Sequence, residues 1–212
     1  MGTIKKGVLG SFSGTVGAVI GSSWKGIPYM RSKPLSVKDA KTEKQLSHRL
    51  KFGLVMSSLK PMSALLRTGW KLYADKQTSF NAATSYTFAN AVTGSYPDYA
   101  IDPGKILVSR GSLTPAANAA ATVAGKNIEF SWDDNSGAGS AGQTDKALIA
   151  LLNVGKHEAI TNSNGAERMT GTQTVAIPAN WLGDSVELYL GFISEDSREV
   201  ANSLYLGSVI VP

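Results

Sequence analysis

The chain has 212 residues, 42% apolar and 17% charged, enough for a real core in one or two domains and a composition that argues against disorder. It has no cysteine, which excludes disulfides, thiolate catalysis, zinc–thiolate sites and iron–sulfur clusters, and its two histidines leave little imidazole chemistry. The net charge of +5 hides a division: residues 1–110 carry 16 Lys/Arg against 5 Asp/Glu, and residues 111–212 carry 5 against 11. Such asymmetry points to a polyanion or to a complementary protein surface.

Residues 1–37 are rich in glycine, with β-prone pieces at 15–20 and 27–31 joined by 21–26. They read as a basic arm containing a β-hairpin. A hairpin is marginal alone in water, so Val16, Val19, Ile20, Trp24, Ile27, Tyr29 and Met30 must be buried on the chain's own domain or on a neighbouring subunit. These seven are the candidate assembly residues, and the hairpin's edges are open to strand addition. Lys25, Arg31, Lys33, Lys38, Lys41, Lys44, Arg49 and Lys51 make the candidate basic surface.

Residues 38–103 change to helical periodicity. Thr42-Glu43-Lys44-Gln45 fits a capping box, and Leu46, Leu50, Leu54 and Leu59 follow at helical spacing up to Pro61. Met62, Leu65, Leu66, Trp70 and Tyr73 repeat the pattern, and a third helix is expected over 80–91, with Phe80, Thr84, Phe88 and Ala91 on one face. Gly94-Ser95-Tyr96-Pro97 and Asp102-Pro103-Gly104 are stop and turn signals, so this region reads as a small helical platform.

Residues 104–212 read as an antiparallel β-sandwich of immunoglobulin or fibronectin type, with strands at 106–109, 119–123, 127–132, 146–154, 172–177, 185–194 and 203–211. Ile128, Phe130 and Trp132 alternate with polar residues, as Val186, Leu188, Leu190 and Phe192 do, which gives each strand one wet face. Residues 135–143, with three glycines and no bulky side chain, read as a flexible loop. The fold class is therefore α+β.

The sequence assembles no catalytic constellation. Lys25 is followed by Gly26 rather than Ser or Thr, so the glycines around it do not make a phosphate loop, and Phe12 stands where Gly10-Ser11-Phe12-Ser13-Gly14 would need the serine of a nucleophile elbow. Neither His48 nor His157 has a second histidine at helical spacing to build a metal face. Asp133, Asp134, Asn135 and Asp145 could offer oxygens to calcium, but the spacing is not that of an EF-hand and an Asx-rich turn is the better reading. No cofactor and no enzyme activity are expected. Nucleic-acid binding has more support, because residues 24–76 interleave basic residues with Trp24, Tyr29, Phe52, Trp70 and Tyr73. An adhesive or carbohydrate-binding role would draw on Trp132, Trp181 and Tyr189.

The longest apolar run, residues 147–152, is far short of the roughly 20 residues of a membrane-spanning helix. The N-terminus also lacks the apolar region of a signal peptide, so cytoplasmic synthesis without a membrane span is expected.

The glycine-rich stretch 10–26, with Arg31 and a helix opening Gln45, Arg49, Phe52, resembles an uncharacterised family of small Bacteroidota proteins of unknown function. Phe80-Asn81-Ala82-Ala83, Asn90-Ala91, Gly94-Ser95-Tyr96-Pro97 and Ser109-Arg110-Gly111 fit the same likeness, which transfers no catalytic residue. The N-terminal order of glycine-rich hairpin, Lys-Gly, Arg and Gln-x-x-x-Arg helix is also loosely similar to products of bacteriophage structural genes. The expectation is a non-enzymatic structural protein that self-assembles or docks through its arm, a component of a virion or virion-like particle. Nucleic-acid binding by residues 1–76 is the alternative.

Overall fold

The computed structural model describes residues 2–4, 7, 10–24, 26–36 and 39–212. Lys25 and Lys38 of the expected basic surface lie outside the described residues. The fold is α+β, built of antiparallel sheets and a small helical segment, and the chain divides into two compact units, Met1–Thr42 and Glu43–Pro212.

The first unit is a four-stranded meander of β1 (Thr3–Ile4), β2 (Phe12–Val16), β3 (Val19–Trp24) and β4 (Ile27–Ser32), in that spatial order. The expected single hairpin is corrected here. The chain reverses at Gly17-Ala18 and again between Trp24 and Ile27, so 21–24 is strand rather than connection. The physical reason is Gly17, whose φ of +56° suits the first position of a two-residue hairpin turn and breaks the β-prone run in its middle.

In the second unit, α1 (Glu43–Leu59), α2 (Ser63–Gly69) and α3 (Ser79–Asn90) are followed by the hairpin β5 (Val92–Ser95) and β6 (Asp98–Ile101). The remaining strands are β7 (Ala117–Ala124), β8 (Asn127–Asp133), β9 (Lys146–Asn153), β10 (Glu158–Asn162), β11 (Thr172–Ala176), β12 (Ser185–Ile193) and β13 (Leu204–Ile210). They form two sheets, ordered β10-β9-β12-β13 and β11-β8-β7. Residues 106–109 are not a strand. They are pinned without a ladder by Val108 N–H donating to Ser203 Oγ (2.9 Å), Ser203 N–H to Ser109 O (3.0 Å) and Arg110 N–H to Gly69 O (2.9 Å).

β9 explains how the layers stack. Ala147, Ile149 and Leu151 face a core shared with Ile128, Phe130 and Trp132 of β8, whereas Leu148, Ala150 and Leu152 face a second core built from Val55, Leu59, Met62, Leu65, Leu66 and Trp70 of the helical segment. A strand buried on both faces reads as an unbroken apolar run, as 147–152 does. The same burial corrects the expected wet face of β12: opposite Val186, Leu188, Leu190 and Phe192 lie Glu187 and Tyr189, both buried. β8 has the expected form, with Ile128, Phe130 and Trp132 inward and Glu129, Ser131 and Asp133 exposed.

Gly69, at the end of α2, is what lets the pinned segment approach: a Cβ there would meet Ser109 Cβ at 2.8 Å and the Val108 carbonyl oxygen closer still. Gly69→Ala is therefore expected to cost about 1–3 kcal/mol of stability by overpacking, read from urea unfolding.

On the helix-covered face, Tyr189 OH donates to Pro103 O (3.0 Å) and Tyr205 OH to Glu187 Oε2 (2.5 Å). Burial first, then that hydrogen bond and the Glu187 charge, pushes the Tyr205 hydroxyl up to about 12, and burial above all raises Tyr189 as well. A phenol whose pKa rises on folding contributes stability that is fully present below its unfolded value of about 10 and lost as pH rises through the folded one. Stability should therefore fall between pH about 10 and about 12, and Tyr205→Phe should flatten the fall in urea titrations followed by circular dichroism.

The loop 135–143, expected to be flexible, is tethered. Arg168, fully buried, donates from Nε to Asp145 Oδ2 (3.0 Å), from Nη1 to Asn135 Oδ1 (2.7 Å) and from Nη2 to Thr114 O (2.9 Å), and Nη2 is ion-paired with Asp145 Oδ2 at 3.0 Å. Its guanidinium carbon lies 4.0 Å from the Phe192 ring centroid. Ser140 and Thr114 also bond each other.

Candidate functional site

The N-terminal sheet is the part of the molecule whose side chains are not accounted for by a core. Cross-strand partners share a face, as do residues two apart. The registers Val16↔Val19, Thr15↔Ile20, Gly21↔Met30, Ser22↔Tyr29, Ile20↔Arg31 and Trp24↔Ile27 therefore divide the seven candidate assembly residues. Val16, Val19 and Met30 lie on one face, and Ile20, Trp24, Ile27 and Tyr29 lie on the other with Arg31. Trp24, Ile27 and Met30 are 64%, 65% and 70% exposed. Among the described residues before Asp39, Gly21 alone is buried. It is covered by the Phe12 ring, which leaves no room for a Cβ. Phe12 and Pro28, with Tyr29 and Met30, line a depression of about 280 Å³. Phe12 was not among the expected assembly residues, although the spacing Phe12-x-Gly14-x-Val16 carries the period-two signal for it.

The candidate basic surface is spread over both units. Arg31 and Lys33 are exposed on the meander and just beyond it, and Lys41 has a φ of +45° with its N–H donating to Asp39 Oδ1. On α1, at about 100° per residue, Lys44 and Lys51 fall on one side and Arg49 roughly 140° away from Lys44. The Lys51 ammonium sits 4.6 Å from the centroid of the Tyr99 ring, whose hydroxyl bonds Ser47 (2.7 Å).

The other chemical candidates have structural explanations. His48 stacks at 5.1 Å on Phe88, and His157 sits in a turn with a φ of +54°. Asp145 and Asn135 hold Arg168, Asp133 accepts from Asn118 (2.6 Å) and Asp134 accepts from the Ser136 N–H (3.0 Å), so these oxygens are spent on protein donors. Among the described residues no group of three or more His, Asp or Glu could hold a metal ion. Trp132, Trp181 and Tyr189 are buried, with Trp132 Nε1 donating to Arg168 O and Trp181 Nε1 to Glu158 Oε2 (both 2.7 Å). The adhesive reading thus loses the aromatic residues it rested on. A groove of about 680 Å³ on the helical segment is lined by residues that include Met56, Lys60, Ser63, Arg67 and Phe80, and none of its lining residues carries a carboxylate or an imidazole. Among the described residues no helix is long and apolar enough to cross a membrane.

No curated protein matches the sequence significantly. The model of a family of unknown function, DUF6266, matches residues 11–207, and the chain belongs to that family.

Proposed function

We propose that this is a non-enzymatic structural protein that assembles through its N-terminal sheet into a repeated particle such as a virion. The observation that carries the reading is that a four-stranded sheet with Trp24, Ile27, Tyr29 and Met30 exposed has one buried residue, Gly21, among those described before Asp39. Sheets of this size need an apolar face covered to be stable, and a partner surface provides the cover. The partition of the seven strands β7–β13 supports a fibronectin- or immunoglobulin-like sandwich that projects from the particle. The first, second and fifth strands make one sheet and the third, fourth, sixth and seventh the other. Basic residues 1–110 and acidic residues 111–212 favour a head-to-tail contact between copies.

Negative-stain images at low salt and high concentration should show repeated particles, and raising salt to about 1 M, where screening acts within about 3 Å, should dissolve them. Lone monomers at low salt would contradict the reading. A second reading, nucleic-acid binding, is favoured by Trp24, Tyr29 and Arg31 sharing one face of the sheet. It predicts gel shifts with a steep salt dependence that Arg31→Glu weakens.

A further inference from the structure

The N-terminal sheet is apolar on both sides. One face carries Val16, Val19 and Met30 without a charge, and the other carries Ile20, Trp24 and Tyr29 with Arg31. Neither is used for a core within the first unit, where Gly21 is the buried residue among those described. A single docking surface would cover one face and leave the other in water.

Resting on the assembly reading, we infer that the sheet is an inserted layer, covered on both faces by other copies of this chain. Each copy then has at least two neighbours and association continues past a dimer. Charge selects the occupant: the first unit carries seven Lys/Arg against one Asp, and residues 111–212 carry eleven acidic residues against five basic ones. Arg31 suits that acidic surface, and Trp, Tyr and Arg are the residue types that anchor protein contacts. A nucleic acid has chemistry for the aromatic face, through stacking and phosphate pairing, and none for the uncharged aliphatic one.

The absence of cysteine allows each face to be read by one introduced thiol. Ser13→Cys reports the aromatic face, two residues before Thr15, and Ser32→Cys reports the aliphatic face, opposite Val19; both positions are exposed. Maleimide reactivity of the full chain is compared between low salt and the salt that dissociates it, with light scattering giving the mass in each state. Both thiols should react at least about tenfold more slowly in the assembled state, since access governs the rate. A chain that stays monomeric at low salt overturns the assembly reading and the insertion with it. Assembly that slows Ser13→Cys but leaves Ser32→Cys at its dissociated rate overturns the two-sided insertion alone. Protection of Ser13→Cys by an oligothymidylate, without assembly, overturns both in favour of nucleic acid.

Discussion

Arg168→Ala is expected to lower stability by about 3–5 kcal/mol, the usual cost of leaving one partner of a buried ion pair uncompensated. For a unit of this size that is a fall of roughly 6–20 °C in melting temperature. The effect is large because the guanidinium joins parts distant in sequence: Asp145 just before β9, Asn135 in the glycine-rich loop, and the Thr114 carbonyl ahead of β7. Burial holds the Arg168 pKa below its ordinary value, opposed by the charge and hydrogen bond of Asp145, so the pair stands on its geometry. Arg168→Lys should recover little, since an ammonium cannot span three acceptors arranged for a planar fork. Arg168→Ala combined with Asp145→Ala should cost less than the sum of the single changes, because the stranded carboxylate is gone. Differential scanning calorimetry of the three variants measures all of this.

Replacing Trp24 and Tyr29 by serine should have the opposite profile, leaving the melting transition of the second unit in place while weakening association. Both side chains are exposed in the chain and neither belongs to the two cores of the second unit, so truncation leaves those cores intact. In an interface, Trp and Tyr anchors contribute about 2 kcal/mol or more each, a factor of roughly 30, so the double change should raise the dissociation constant by about 10²–10³ after allowing for non-additivity. Sedimentation velocity across a concentration series gives the association, and calorimetry on the same samples gives the stability.

The strands of the second unit are legible in the sequence where one face is wet. Ile128, Phe130 and Trp132 announce β8 because their polar neighbours remain in water. What covers a second face is not legible: Glu187 and Tyr189 look like the outer face of β12, yet both are buried, Tyr189 in the core that Val55, Leu59 and the following helical residues share, with its hydroxyl on Pro103 O, and Glu187 where it accepts from Tyr205. β10 is not legible because Glu158-Ala159-Ile160-Thr161-Asn162 carries one bulky apolar residue; its pairing with β9 makes it a strand. Helical spacing places Leu50 with the apolar residues of α1, but it is exposed, since the buried residues of that helix are Val55, Ser58 and Leu59 near its end. The apolar residues of the N-terminal sheet were visible as a set, yet their division into two faces depended on the turn at Gly17-Ala18. A glycine inside a run of β-branched residues does not declare whether the chain bends or continues. Arg168 gave no signal at all, because neither its neighbours Glu167 and Met169 nor the spacing to Asp145 encodes burial.

Light scattering coupled to size exclusion, on the full chain at low salt over a range of concentration, tests most directly whether the N-terminal sheet is completed by other copies. The expected result is a mass that rises with concentration to several multiples of 22.3 kDa and returns to a single chain when salt is raised. A constant mass of one chain at every concentration and salt would contradict it.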